Sequence, residues 1–187
     1  MSKRLFDVVN SILVGALLAP LLTFIAFLVK IDSPGPVFYW SDRVGRNNKV
    51  FKMVKFRTMR INTPVVATHL LVNPSVHVTS LGKVLRRISL DELPQLWNIL
   101  LGNMSFVGPR PALYNQNDLT SSRTARGVHN IPPGLTGWAQ VNGRDDLPIP
   151  VKVEFDAYYL AHRSFLFDLK IILMTAQQAV LGKGVSH

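Results

Sequence analysis

A chain of 187 residues suffices for one domain with a real core, and 21 Lys and Arg against 11 Asp and Glu leave it at a formal +10. That excess implies an anionic partner: nucleic acid, an acidic membrane surface or a phosphorylated small molecule. The absence of cysteine excludes a disulfide framework, cysteine-ligated zinc and a thiol nucleophile. With no RNA-binding aromatic signature, finger spacing or long basic run, nucleic acid is the weaker partner.

From Ile12 to Val29 the chain carries no charged residue, and as a helix this stretch covers about 27 Å, close to the ~30 Å hydrocarbon core of a bilayer. Lys3 and Arg4 precede it, while Lys30, Arg43, Arg46, Lys49 and Lys52 follow. Both flanks therefore read as cytoplasmic by the positive-inside rule, which one spanning helix does not satisfy. Pro20 near the middle predicts a re-entrant helix-break-helix that enters and leaves on one face, with Ser11 and Thr23 bonding the carbonyls the proline frees. The alternatives are a single span with a tolerated kink, and a signal peptide, for which no small-residue cleavage site precedes Lys30.

After the turn Ser33, Pro34, Gly35, Pro36, the stretches 37–40 and 50–58 alternate like short strands. In the second, Phe51, Met53, Lys55 and Arg57 share one face, so Lys55 and Arg57 are either a phosphate-binding pair or a solvated strand end. The region 62–80, with Pro64 and Pro74, reads as a loop with one helical turn, and His69 and His77 lack metal-ligand spacing. A short helix over 81–88 then presents Arg86 and Arg87.

The run Ser89, Leu90, Asp91, Glu92, Leu93, Pro94, Gln95 sets two adjacent carboxylates at a predicted helix start. Leu93, Leu96, Trp97, Leu100 and Leu101 supply an i, i+3, i+4, i+7, i+8 apolar face, and Gly102 closes it. Ser89 and Glu92 fit a capping box. In a chain this poor in acid, the pair also reads as a nucleophile or metal ligand beside Arg86 and Arg87.

Pro109, Arg110, Pro111 stiffens the backbone around one guanidinium, which reduces the entropy lost when it is aimed at an anion. Between Pro132 and Arg144, glycines permit close backbone approach while Gln140, Asn142 and Arg144 offer polar contacts suited to a nucleotide or sugar; Asn142 with Gly143 equally reads as a hairpin turn. Helices follow over 151–161 and 165–181. Asp168 and Lys170 argue against a second span, leaving an interfacial or core-packed helix. Asp168 is then a first-turn acid capped by Ser164, or an acid paired with Lys170 or a distant arginine.

The composite is an α+β, mainly helical chain: a membrane anchor over 1–31 and a cytoplasmic domain over 32–187 with interfacial amphipathic helices and a small β element, the two acting as one unit. No Walker loop, dinucleotide fingerprint or serine–histidine–acid set stands out. A carboxylate pair, phosphate-ready cations and a membrane anchor together suit phosphoryl transfer from a soluble donor to a lipid acceptor. A non-catalytic, membrane-anchored basic module is the competing class, but it has no use for Asp91 and Glu92 side by side.

From Lys3 to Leu181 the chain resembles the bacterial sugar transferase family, the monotopic phosphoglycosyl transferases acting on polyprenol phosphate. The resemblance is carried by Lys3, Arg4, Phe6, Asp7; 34–38; Lys55 to Met59; 85–96; 104–111; 133–144; Asp156 to Tyr159; and Asp168, Leu169, Lys170. It implies a minimal member in the bacterial inner membrane, its catalytic domain on the cytoplasmic face, beginning O-antigen, capsule or glycoprotein glycan assembly ahead of downstream glycosyltransferases. The implied donor is a UDP-sugar, the acceptor undecaprenyl phosphate and the released product UMP. By the same resemblance Asp91 is the nucleophile that carries a covalent phosphosugar, Glu92 the ligand of Mg²⁺, and Arg86 and Arg110, with Lys55 nearby, hold phosphate oxygens; Asp168 matches another site acid. The chain departs from the family pattern at Asn103, where an aspartate is usual, and at Asn73, Pro74, Ser75, where an Asp, Pro, Arg triplet is usual.

Overall fold

The computed structural model describes residues 3–63, 74–143 and 147–181. Mainly helical, it builds on one long N-terminal helix, α1 (Lys3–Asp32), with Pro20 inside it. The structure thus runs a single helix where the sequence suggests helix-break-helix. Ser11 Oγ donates to the Asp7 carbonyl at 2.7 Å and Thr23 Oγ1 to the Ala19 carbonyl at 2.9 Å. Each hydroxyl therefore back-bonds one turn below itself, and neither takes the Ala16 carbonyl that Pro20 leaves without its i+4 donor.

Strands β1 (Phe38–Val44) and β2 (Val50–Phe56) form an antiparallel hairpin in which Tyr39 opposes Lys55 and Ser41 opposes Met53. The short β4 (Ala112–Leu113) pairs with β1 at Arg43 and Val44, giving the order β2-β1-β4. A second, parallel pair joins β3 (Ser105–Val107) to β5 (Gly134–Thr136). Between the strands lie α2 (Pro74–His77), α3 (Ser80–Arg87), a 3-10 segment Leu90–Gln95 and α4 (Leu96–Leu101). The chain continues through α5 (Asn117–Ala125), α6 (Trp138–Val141), α7 (Ile149–His162) and α8 (Phe165–Leu181).

The outer edge of β2 would expose unpaired backbone groups, and Asn98 of α4 covers it. Its Oδ1 accepts from Val54 N at 3.0 Å and its Nδ2 donates to the Lys52 carbonyl at 2.8 Å. One buried amide thereby imitates a neighbouring strand and locks α4 to β2. The apolar face expected for this helix differs accordingly. Leu96, Asn98 and Ile99 are buried, whereas Trp97 and Leu101 are exposed, because the register is set by the Asn98 amide. Gly102 closes the helix in the left-handed region at φ 88°, as its position suggests.

Both ends of α1 are bonded to the rest of the chain. At its start, Lys3 pairs with Asp168, Arg4 Nη1 and Nη2 donate to the Ile99 and Leu100 carbonyls, and Asp7 Oδ1 accepts from Phe106 N. At its far end Ile25 and Val29 pack with Phe56 and Leu85. Just beyond, Arg57 Nη1 and Nη2 donate to the Pro34 and Ser33 carbonyls. Between these anchorages Leu13, Leu17, Phe24 and Phe27 stand exposed, Leu17 at 78%.

Close backbone approach occurs in the glycine-rich stretch, but against the protein's own chain. A Cβ on Gly134 would lie 2.1 Å from Gly108 N, and Asn142–Gly143 ends α6 rather than turning a hairpin. Gly134→Ala should lower the unfolding midpoint in detergent by roughly 1–3 kcal/mol equivalent, as overpacking does. Gly15→Ala, with open space around it, should leave the midpoint unchanged or higher.

Candidate active site

The acidic pair sits in the 3-10 segment, and the chain reaches it through a left-handed residue, Ser89, at φ 57°. No capping box forms. Ser89 N already donates to the Arg86 carbonyl at 3.1 Å, ending α3, so it has no need of a carboxylate, and its hydroxyl makes no cap bond. Pro94 lacks the donor that a regular helix requires, so the segment winds tightly and α-helix resumes only at Leu96. The consequence is chemical. The Glu92 side chain turns away from its own backbone towards cations brought by other elements.

Lys55 Nζ of β2 reaches Glu92 Oε1 at 2.6 Å, and Arg110 Nη2, from the loop after β3, reaches the same oxygen at 3.2 Å. Burial alone would raise the Glu92 pKa, but the charges of Lys55 and Arg110 and their hydrogen bonds overcome it and hold the carboxyl well below the usual range. Asp91, 7% exposed, responds oppositely. Desolvation pushes its pKa up; Lys55 opposes this, the Glu92 charge reinforces it, and Arg86 and Arg110 oppose it further. Arg86 is itself lowered by burial despite the neighbouring Asp91 and Glu92 charges. At Asp91 the loss of water thus outweighs the surrounding cations.

Five residues singled out in the sequence, Lys55, Arg86, Asp91, Glu92 and Arg110, therefore share one site. The others lie elsewhere or are engaged. β2 ends at Phe56, so Arg57 leaves the strand face it was expected to share with Lys55 and binds the carbonyls of Ser33 and Pro34. Gln140 Nε2 donates to the Leu135 carbonyl at 3.1 Å, while its Oε1 is buried without a partner. Asp168 is buried between Lys3 and Tyr159, whose hydroxyl donates to it at 2.6 Å, with Ser164 Oγ accepting from Phe167 N. Lys170, an expected partner of Asp168, instead lies 5.5 Å from the centre of the Trp138 ring. Arg144 and Asn73 fall outside the described residues.

Sequence reasoning passed over Arg123. On α5, its Nε and Nη2 donate to Asp156 Oδ2 at 2.9 and 2.6 Å, and its Nη1 donates to the Arg110 carbonyl at 2.8 Å. The available signal was Asp156 itself, an acid in an apolar helix that demands a partner once buried.

Among the described residues no three His, Cys, Asp or Glu side chains converge. The donor set is a carboxylate pair with Glu92 firmly ionised. That fits Mg²⁺, which binds through one or two carboxylates and completes its shell with water and substrate phosphates.

The bacterial sugar transferase family model matches residues 1–182. The chain belongs to that family. An uncharacterised sugar transferase of Bacillus subtilis is 37% identical to this family member over 99% of the chain and 90% of the relative. An exopolysaccharide production protein of Sinorhizobium fredii is 40% identical over 98% and 87%. The UDP-glucose:undecaprenyl-phosphate glucose-1-phosphate transferase of Escherichia coli is 41% identical over 97% of the chain, which spans 40% of that longer protein.

The opposite pKa directions predict opposite stability effects in this family member. A raised aspartate pKa means that stability falls as pH rises through the ordinary carboxylate range, so Asp91→Asn should be more stable than the parent at pH 7. A lowered glutamate pKa means that stability is present above that range and lost below it, so Glu92→Gln should cost about 2–3 kcal/mol at pH 7. Both differences should shrink on acidification, read as unfolding midpoints in detergent across pH.

Proposed function

We propose that this chain transfers a sugar 1-phosphate from a UDP-sugar to undecaprenyl phosphate, releasing UMP. The observation that carries the reading is the convergence of Lys55, Arg86 and Arg110 on Asp91 and Glu92. It stands in a family whose relatives include proteins named for undecaprenyl-phosphate phosphotransfer of glucose, galactose and N-acetylgalactosamine.

In the first step a carboxylate oxygen of Asp91 attacks the phosphorus bearing the sugar. The bond from that phosphorus to the bridging oxygen breaks, UMP departs with the electron pair, and an aspartyl phosphosugar remains. In the second, a phosphate oxygen of undecaprenyl phosphate attacks the same phosphorus. The aspartyl bond breaks, the Asp91 carboxylate is regenerated, and the product is a sugar linked to undecaprenyl diphosphate. Poor solvation at Asp91 leaves an ionised carboxylate there with little water to shed before attack. Arg86 and Arg110 offer guanidinium groups for phosphate oxygens, and Lys55 adds a point charge where negative charge develops. Glu92, acceptor-only and ionised, would hold Mg²⁺, which when bound neutralises charge on the diphosphate.

We further infer that α1 enters the bilayer and that both its ends lie on the cytoplasmic side. It is long and apolar enough to cross a membrane. Yet its start is tied to α4 and α8 and its end to β2 and α3, so both ends belong to one body. A shallow bend at Pro20 would dip the exposed middle into one leaflet, giving a re-entrant path without breaking the helix.

A panel of UDP-sugars with undecaprenyl phosphate and Mg²⁺ should yield UMP from at least one donor. Asp91→Asn should abolish both release and a trapped phosphosugar adduct. Undiminished transfer by that variant would overturn the nucleophile, and a chain that consumes no donor would leave the anchored-module reading. For topology, cysteines replacing Ser2 and Lys49 should both label from the cytoplasmic side of sealed vesicles. Labelling from opposite sides would establish a span.

A further inference from the structure

The segment Pro109, Arg110, Pro111 carries three successive carbonyls, and each is held by a different element. Gly134 N of β5 donates to the Pro109 carbonyl at 2.9 Å. Arg123 Nη1 of α5 donates to the Arg110 carbonyl at 2.8 Å, and Arg43 Nη1 of β1 donates to the Pro111 carbonyl at 3.3 Å. Upstream, the Tyr159 hydroxyl lies 3.2 Å from the Val107 carbonyl, its proton going to Asp168. The prolines fix their own φ angles, so little freedom is left in the backbone that launches the Arg110 guanidinium.

Arg123 is the member of this set that nothing else requires at the site. Its side chain is buried, it touches none of Lys55, Asp91 or Glu92 in the bonds described above, and Asp156, 1% exposed, fixes it through two hydrogen bonds to one oxygen. A buried pair of this kind is weak evidence for stability in itself, since desolvation offsets much of the attraction. What it delivers is direction. With Nε and Nη2 occupied by Asp156, the remaining Nη1 is aimed at one backbone oxygen, a fork geometry that lysine does not reproduce.

We propose that Arg123, oriented by Asp156 and assisted by Arg43, is a positioning residue that sets the Arg110 guanidinium against Glu92 and the donor phosphate. This rests on the phosphotransfer reading only for its kinetic consequence; the immobilisation of Arg110 is independent of it. A carbonyl released by either tether lets the segment shift, and displacements near 1 Å cost up to about a hundredfold in rate.

Arg123→Lys keeps a cation for Asp156 and loses the bond to Arg110. In detergent, the NMR order parameter of the Arg110 Nε–H vector should drop in Arg123→Lys, and in Arg43→Lys to a smaller degree. An unchanged order parameter in a folded variant would overturn the proposal whether or not a donor sugar has been found. With an active donor, Arg123→Lys should lower kcat/KM for UMP release by about tenfold, within the range that misplacement produces. In an Arg110→Ala background the same change should cost less than about twofold, since the residue acts through Arg110. Multiplicative losses would show a general structural role and sink the assignment. Should Arg123→Lys fail to fold, Arg43→Lys runs the same cycle on the neighbouring carbonyl, and the same two outcomes decide it. An inactive parent with a lowered order parameter would sink the transfer reading alone.

Discussion

Glu92 Oε1 receives Lys55 Nζ and Arg110 Nη2, and this single oxygen joins the β-hairpin, the 3-10 segment and the loop after β3. A buried carboxylate without those cations would be expelled or protonated. With them it stays ionised, and its charge reaches the neighbouring Asp91, where burial and that charge together raise the pKa. Two acids adjacent in sequence thereby acquire different characters from their surroundings: one a carboxylate held ionised by its cations, the other a desolvated group whose pKa is pushed up. The proposed roles of the two acids rest on that difference.

The arrangement depends on devices some distance from it. Asn98 closes the β2 edge, so the strand carrying Lys55 and the helix following the acids keep one spacing. Gly108 and Gly134 let β3 and β5 approach until no Cβ would fit between them, which places the loop carrying Arg110. Ser89 in the left-handed region redirects the chain so that the acids face inward. A left-handed serine costs on the order of 1 kcal/mol, and such strain concentrates where a site needs a particular backbone.

Helix α1, long and apolar enough to cross a membrane, is fastened to the body that carries the site. Lys3 and Arg4 would be counted as membrane-flanking charges in any reading of topology, yet both are spent on internal partners, Asp168 and the carbonyls at the end of α4. Their contribution is to bind the start of an apolar helix to the same body as its end. A helix attached at both ends, with its middle exposed, brings an apolar surface up to the domain that carries the carboxylates. That is what a reaction between a soluble donor and a lipid acceptor needs.

Local pattern alone carried much of this. The apolar run of α1, the extent of α8, the hairpin strands, the Gly102 stop and the Asp91–Glu92 pair follow from periodicity, punctuation and a rare charge in a basic chain, all properties of neighbouring residues. The capping box, the face of α4, the shared direction of Lys55 and Arg57, and the partner of Asp168 did not survive folding. The capping box lost to a local bond, the Ser89 amide donating to the Arg86 carbonyl; the others were decided by groups distant along the chain: β2 for Asn98, the turn after α1 for Arg57, and Lys3 for Asp168. Arg123 carried no mark of its own in the sequence: Asp156 signalled only that some partner was needed, and nothing ties a guanidinium to a carbonyl thirteen residues away. The sequence by itself determined which residue types were available and the local elements that hold them. Only the tertiary structure decided which charges meet, because burial and Coulomb attraction depend on distance in space and not on separation along the chain.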